Sequence, residues 1–254
     1  MKVKKNYLYY YIFSFILLVL LLAGSYAYNS GSCQINKNYT CSKDFCLHKE
    51  FYYELPYNIL NEIDSVVNKK DLQKRVSIKM YPEMIFNCAI PNRSGVTIPT
   101  AILKEYCPQL INLYQNDLCN FISRLTNLHL EPTELKFPTT CAIIIYEKED
   151  DWINWHYDYN YYDGRFFTVL IPISTDLTCT KFQFKDPNNS VKSLDLNKKG
   201  ICFEGNYVFH RASKLCANQK RVMLSCQYVT SNNMSLLNQY RIKLKDYAFI
   251  GQLF

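Results

Sequence analysis

The chain has 254 residues, of which 48% are hydrophobic and 20% charged, a balance that fits a globular domain of moderate size with an appendage and excludes a low-complexity or disordered chain. Its formal charge is +7, but Lys2, Lys4 and Lys5 precede an apolar stretch, and setting them aside leaves 26 of the 29 basic residues against 22 acidic ones. That surplus is spread out with no dense basic tract, so no nucleic-acid partner is predicted.

The first segment reads as an address. "MKVKKNYLYYYIFSFILLVLLLAGSYA" is a positive n-region followed by an uncharged apolar run from Leu8 to Ala23, near the lower limit for spanning a bilayer. Residues 1–6 are expected to be a short cytoplasmic N-terminus and 7–27 a transmembrane signal anchor. By the positive-inside rule this makes a single-pass type II membrane protein whose remainder is lumenal or extracellular. The alternative is a cleaved signal peptide, with Ser25-Tyr26-Ala27 as a small-x-small site. Eleven cysteines fit an oxidising compartment and predict disulfides. Cys33, Cys41 and Cys46 mark residues 28–52 as a stapled stalk, and no C-x-x-C occurs. Sequons at Asn38, Asn92, Asn188 and Asn233 predict a glycoprotein.

Residues 53–135 carry helical periodicity. Ile59, Leu60, Ile63, Val66 and Val67 are spaced for one buried face after Pro56. Leu110, Leu113, Leu118 and Ile122 do the same in one or two helices around Pro108. From Thr139 the period changes to two. "CAIIIYEK", "FFTVLIPIS", "KFQFKD", "GICFEG", "YVFHRA" and "RVMLSCQYVT" are short strands separated by turn signals such as Asp163-Gly164 and Gly205-Asn206. The predicted class is mainly β with flanking helices (α+β), its core over 136–232 a sandwich or jelly roll, with 233–254 a C-terminal extension.

Within the strand region, "WINWHYDYNYYDGRFF" (152–167) holds His156 and Asp158 two residues apart. On a strand such residues point to one face, so an imidazole and a carboxylate converge. His210 ends a later strand, far enough on for the chain to fold back and bring a second imidazole opposite. Two neutral imidazoles and a carboxylate form the facial set of non-haem Fe(II), with zinc as the next candidate. In "RVMLSCQYV", alternation puts Arg221, Met223 and Ser225 on one face and the apolar Val222, Leu224 and Cys226 on the other. The apolar set suits packing against helices, so the first set looks into the barrel, where an arginine needs an anion to meet it.

The order H-x-D, then His210, then Arg221 resembles the Fe(II)/2-oxoglutarate dioxygenases, with the prolyl 4-hydroxylases and phytanoyl-CoA hydroxylases as the nearest-looking branches. The resemblance covers roughly Cys141 to Thr230, including "IIIYEKEDDWINWHYD", "FFTVLIPIS" and "KKGICFEGNYVFHRA". It implies a double-stranded β-helix, Fe(II) on His156, Asp158 and His210, and 2-oxoglutarate and O2 as co-substrates. Arg221 would take the distal carboxylate, with Tyr146 and Ser225 completing that pocket. The implied reaction is hydroxylation of a C–H bond on a side chain of a secretory-pathway protein. A lipid or small-molecule substrate is the competitor, and a catalytically inactive membrane-anchored jelly-roll protein is the non-enzymatic alternative. The chain departs from the pattern in three places: prolyl 4-hydroxylases commonly carry lysine in place of Arg221, Met223 stands where many relatives have a hydroxyl residue, and "LTCTKFQF" replaces a glycine-rich segment. Trp152 and Trp155 are expected either in the core, as aromatics beside a strand commonly are, or at the substrate mouth, Asn154 beside the metal or closing a turn, and His48 and His129 in structural or exposed positions.

Overall fold

A computed structural model describes residues 9–19, 45–79, 91–173, 179–186 and 188–250. Its strands, all paired antiparallel, are β1 (His48–Phe51), β2 (Lys74–Ile78), β3 (Arg93–Ile98), β4 (Glu131–Pro132), β5 (Cys141–Tyr146), β6 (Trp152–His156), β7 (Phe166–Pro172), β8 (Phe182–Lys185), β9 (Val191–Leu194), β10 (Gly200–Phe203), β11 (His210–Ala212) and β12 (Arg221–Val229). They join in the order β1-β10-β7-β12-β5-β3-β6-β11-β8-β9, with β2 on β3 and β4 on β12. The order interleaves early and late strands, so the sheet curls into a jelly roll and the predicted fold class holds.

The period-two reading explains which way each strand faces. On β12, Val222, Leu224 and Cys226 enter the main core with Ile143, Ile145 and Val169. That core is backed by helices α1 (Tyr57–Val67), α2 (Thr100–Tyr106), α3 (Pro108–Gln115) and α4 (Asp117–Thr126), which contribute Ile63, Leu103, Leu110, Leu118 and Ile122. Each such fully buried side chain stabilises the fold by roughly 1.5–3 kcal/mol. The helical stretch predicted around Pro108 divides in three. Pro108 starts α3 at a position where its missing N–H costs nothing, Asn116 separates α3 from α4, and Asn127 ends α4 with φ 54°, the left-handed cap that asparagine tolerates. A last helix, α5 (Leu236–Ile250), lies in the predicted C-terminal extension.

The turn between β5 and β6 is fixed by a buried carboxylate. Asp151, 1% exposed, accepts from Arg75 Nη1 at 2.8 Å, Ser94 Oγ at 2.8 Å and the N–H groups of Glu147 and Lys148, both at 3.0 Å. Burial alone would raise its pKa, but Arg75, those N–H groups and Ser94 outweigh burial and pull it down to about 2. The folded value lies below the unfolded one near 4. Its stabilisation, about 2 kcal/mol, is therefore complete above about pH 4 and lost as pH falls towards 2. Melting temperature measured against pH should show this acid limb in the parent and a flatter one in Asp151→Asn, at lower overall stability.

Several sequence expectations are corrected here. Among the described residues no helix is long and apolar enough to cross a membrane. The expected single-pass type II membrane protein with a lumenal domain is thereby overturned. Ser25-Tyr26-Ala27, Cys33, Cys41 and Asn38 lie outside the described residues. The end of the expected stalk belongs to the fold: β1 pairs with β10, and Phe45 and Phe51 are buried in the main core. Residues 53–135 add β2, β3 and β4 to the sheet besides the helices. The sequon asparagine Asn92 is 3% exposed, too buried to carry a glycan, whereas Asn188 and Asn233 are exposed. Cys179 and Cys216 form a disulfide that ties the segment before β8 to the turn between His210 and Arg221.

Candidate metal centre

The two histidines meet because β6 and β11 pair, with His210 opposite His156 and their ring centroids 4.2 Å apart. Asp158 follows just past β6, where its N–H donates to the Gly205 carbonyl at 3.0 Å. His156 Nε2 lies 3.5 Å from Asp158 Oδ1 and His210 Nε2 lies 3.8 Å from Oδ2. One ligand atom from each of the three residues falls within 4.8 Å of the others. The fold thus places the three side chains singled out in the sequence side by side.

The tautomers are set by the backbone. His156 Nδ1 is 2.7 Å from the Asn154 carbonyl and His210 Nδ1 is 2.8 Å from the Val208 carbonyl. A carbonyl only accepts, so both Nδ1 atoms carry hydrogen, and both Nε2 atoms are turned towards Asp158, the orientation a metal ligand needs. Phe182 and Phe203 pack on the His210 ring at 5.3 and 4.7 Å. Burial and the neighbouring His156 push the His210 pKa down to about 4, with Asp158 and the Val208 carbonyl opposing. Burial would raise Asp158, but His210, His156 and the Thr168 hydroxyl hold it far below the usual carboxylate range. Two imidazole nitrogens and one carboxylate thus converge, a set suited to a divalent first-row metal with open positions.

Two residues that sequence reasoning missed hold Asp158 in place. Thr168 Oγ1 on β7 donates to Asp158 Oδ2 at 2.6 Å. A Cβ added to Gly205 would lie 2.3 Å from the Asp158 Cβ, so only glycine lets the chain pass there. Thr168→Val should weaken metal binding roughly 10- to 100-fold, the usual effect of losing a partner that orients a ligand, while Thr168→Ser should keep most of it. Titration with Mn(II) checks this, and an unchanged Kd in the valine variant would mean that other contacts hold the carboxylate.

Beyond the triad, the inside of the barrel forms a cavity of about 150 Å³. Arg221 lines it, paired in register with Tyr146. Arg221 is 6% exposed and makes no ion pair or hydrogen bond among the described residues, and burial drives its pKa down. A buried guanidinium without an anion is costly. Tyr146 and Ser225 line the same space, and neither hydroxyl has a hydrogen-bond partner among the described residues. The Tyr146 ring leans over Gly95, where an added Cβ would come within 2.8 Å of it. These residues fit a small acid with one carboxylate at Arg221 and its other end at the triad. Arg93, from β3, also enters the wall and donates Nη2 to Thr97 Oγ1 at 2.9 Å; it went unremarked because β3 was read as part of a helical region.

The tryptophans do not line this cavity. Trp155 stacks on Phe209 at 5.4 Å and lies under the Arg211 guanidinium at 4.7 Å. Asn154 serves through its backbone, its carbonyl meeting His156 and its N–H donating to Asn92 at 2.8 Å. His129 is exposed, and His48 packs against Phe184 at 4.5 Å.

No family model matches the chain, and no curated protein does. Solved structures do. An oxidoreductase of the 2OG-Fe(II) oxygenase family from Burkholderia pseudomallei superimposes with a TM-score of 0.53 at 13% identity, covering 77% of this chain and 96% of that one. This chain has the fold of a 2OG-Fe(II) oxygenase. The same oxygenase fold recurs in two enzymes of nogalamycin biosynthesis. One is the non-heme alpha ketoglutarate dependent epimerase SnoN, with a TM-score of 0.52 at 10% identity over 72% of this chain and 77% of that one. The other is the carbocyclase SnoK, with a TM-score of 0.52 at 9% identity over 72% and 79%. Identities this low establish the oxygenase fold and nothing finer.

Proposed function

We propose that the chain is an Fe(II)/2-oxoglutarate-dependent dioxygenase that hydroxylates a C–H bond. The observation that carries this reading is the pairing of two groups in one oxygenase-fold cavity: a two-imidazole, one-carboxylate cluster and a buried arginine with no ion pair or hydrogen bond among the described residues. His156, Asp158 and His210 hold the metal on one face and leave the rest for co-substrates. Bound there, Fe(II) and 2-oxoglutarate supply dioxygen activation coupled to oxidative decarboxylation, chemistry that belongs to the cofactor. The chain supplies placement. Arg221 anchors the distal carboxylate through a charge-assisted pair, with Tyr146 and Ser225 as its polar neighbours. Thr168 and Gly205 fix Asp158, and Ile144, Phe182, Phe203 and Met223 form the apolar walls that keep water out.

Hydroxylation is preferred over the outcomes named for SnoN and SnoK because the sequence pattern resembles the hydroxylase branches, and a polypeptide side chain is the substrate class that goes with them. The test is anaerobic reconstitution with Fe(II) and 2-oxoglutarate followed by exposure to air. One Fe(II) per chain and 2-oxoglutarate-dependent succinate release are expected. Iron binding with no succinate above the protein-free rate would favour a jelly-roll protein without this activity.

A further inference from the structure

The cavity has two ends, and β12 runs between them. Arg221 stands opposite Tyr146 at one end, and Gln227 stands opposite Thr168 at the other, about 20 Å along the strand at roughly 3.3 Å per residue. Thr168 binds Asp158, so the triad lies towards the Gln227 end. A 2-oxoglutarate reaching from the triad to Arg221 fills the first part and leaves the Gln227 end open. That end is walled by Thr139, Tyr159, Phe166 and, from α5, Lys245.

Two polar groups there have unused capacity. Gln227 is 9% exposed, and its amide makes no hydrogen bond among the described residues. The Lys245 side chain is 14% exposed, its Nζ 3.6 Å from Asp246 Oδ1 and 5.4 Å from the centroid of the Tyr161 ring. An ammonium carries three N–H donors, and Asp246 Oδ1, its one carboxylate partner among the described residues, also accepts from the Thr139 hydroxyl at 3.2 Å.

We propose that Lys245 and Gln227 form a substrate subsite that receives a carboxylate of the primary substrate, with Phe166 and Tyr159 against its apolar body. The proposal rests on the oxygenase reading above, which assigns the other end of the cavity to the co-substrate. An ammonium gives a charge-assisted bond to a carboxylate that a neutral isostere cannot match, and the amide N–H groups add donors that an uncharged, apolar substrate would leave unmet. Lys245 would thus be a specificity residue of the site.

The experiment loads the full chain with Zn(II), a diamagnetic and redox-silent stand-in for Fe(II), and saturating 2-oxoglutarate. Ligand-observed NMR then compares matched probes. One arm uses small carboxylic acids and their primary amides; the other uses short peptides with glutamate or glutamine at the same position. In at least one arm the acid should bind about tenfold or more tightly than its amide, the effect of one charged hydrogen bond. The arm that responds identifies the source of the carboxylate. Lys245→Met should bring the preference below about twofold, and Lys245→Arg should restore it. No preference in either arm, or one that survives in Lys245→Met, overturns the subsite. The 2-oxoglutarate signals in the same sample report separately on the oxygenase reading: a protein that holds neither Zn(II) nor 2-oxoglutarate sinks that reading, and the acid–amide comparison is then read on the metal-free chain.

Discussion

Arg221→Ala should retain the metal and lose 2-oxoglutarate. Arg221 is buried in the cavity wall, and no ion pair or hydrogen bond among the described residues meets it. Among the described residues Asp195 acts on its charge only from beyond ion-pair distance, so a carboxylate entering the cavity would be its first direct partner. Removing one partner of a buried charged pair costs roughly 2–4 kcal/mol, so the Kd for 2-oxoglutarate should rise by about one and a half to three decades. The Kd for Mn(II) should stay near that of the parent, because Arg221 touches no triad residue. Arg221→Lys should fall between the two, keeping the charge while losing the fork that engages a carboxylate through two bonds. Thermal shifts give an independent check. Ligands that bind only the folded state raise Tm by mass action, so 2-oxoglutarate should raise it in the parent and hardly at all in the alanine variant. Equal 2-oxoglutarate affinity in the two proteins would remove Arg221 from the co-substrate site and leave the reading on the metal cluster alone.

Gly205→Ala should cost the metal itself. The new methyl would occupy space 2.3 Å from the Asp158 Cβ, and that neighbour is the start of a ligand side chain that cannot swing away without leaving the triad. The backbone bond from Asp158 N–H to the Gly205 carbonyl pins the two segments at that separation. Overpacking of this kind costs roughly 1–3 kcal/mol of stability, and displacing the carboxylate should weaken Mn(II) binding by 100-fold or more, beyond the 10- to 100-fold typical of a supporting residue. Calorimetric titration with Mn(II) and circular dichroism on the same sample separate lost metal from lost fold. A folded Gly205→Ala that binds Mn(II) as the parent does would show that Asp158 is not a ligand.

The local code of the strands carried much of this site. Alternation along "RVMLSCQYV" placed Arg221 and Ser225 inside the barrel and Val222, Leu224 and Cys226 against the helices, as observed. The same rule, applied one residue earlier on β6, would have turned Trp155 outward, since its neighbour His156 faces in. At the N-terminus, apolar length was read as an anchor, whereas no helix among the described residues is long and apolar enough to cross a membrane.

The sequence by itself determined the class of fold, and it singled out the three side chains that the fold brings together and the arginine that lines the cavity, because side-chain chemistry and a two-residue period are local properties. Only the tertiary structure decided which residues hold those groups in place and what walls the rest of the cavity. Thr168 reaches Asp158, Gly205 clears its path, Arg93 enters from a strand within an otherwise helical region, and Lys245 arrives from the last helix. Those relations depend on strand register and on how the sheet curls, which are set by the packing of the whole core. No local pattern in the chain encodes them.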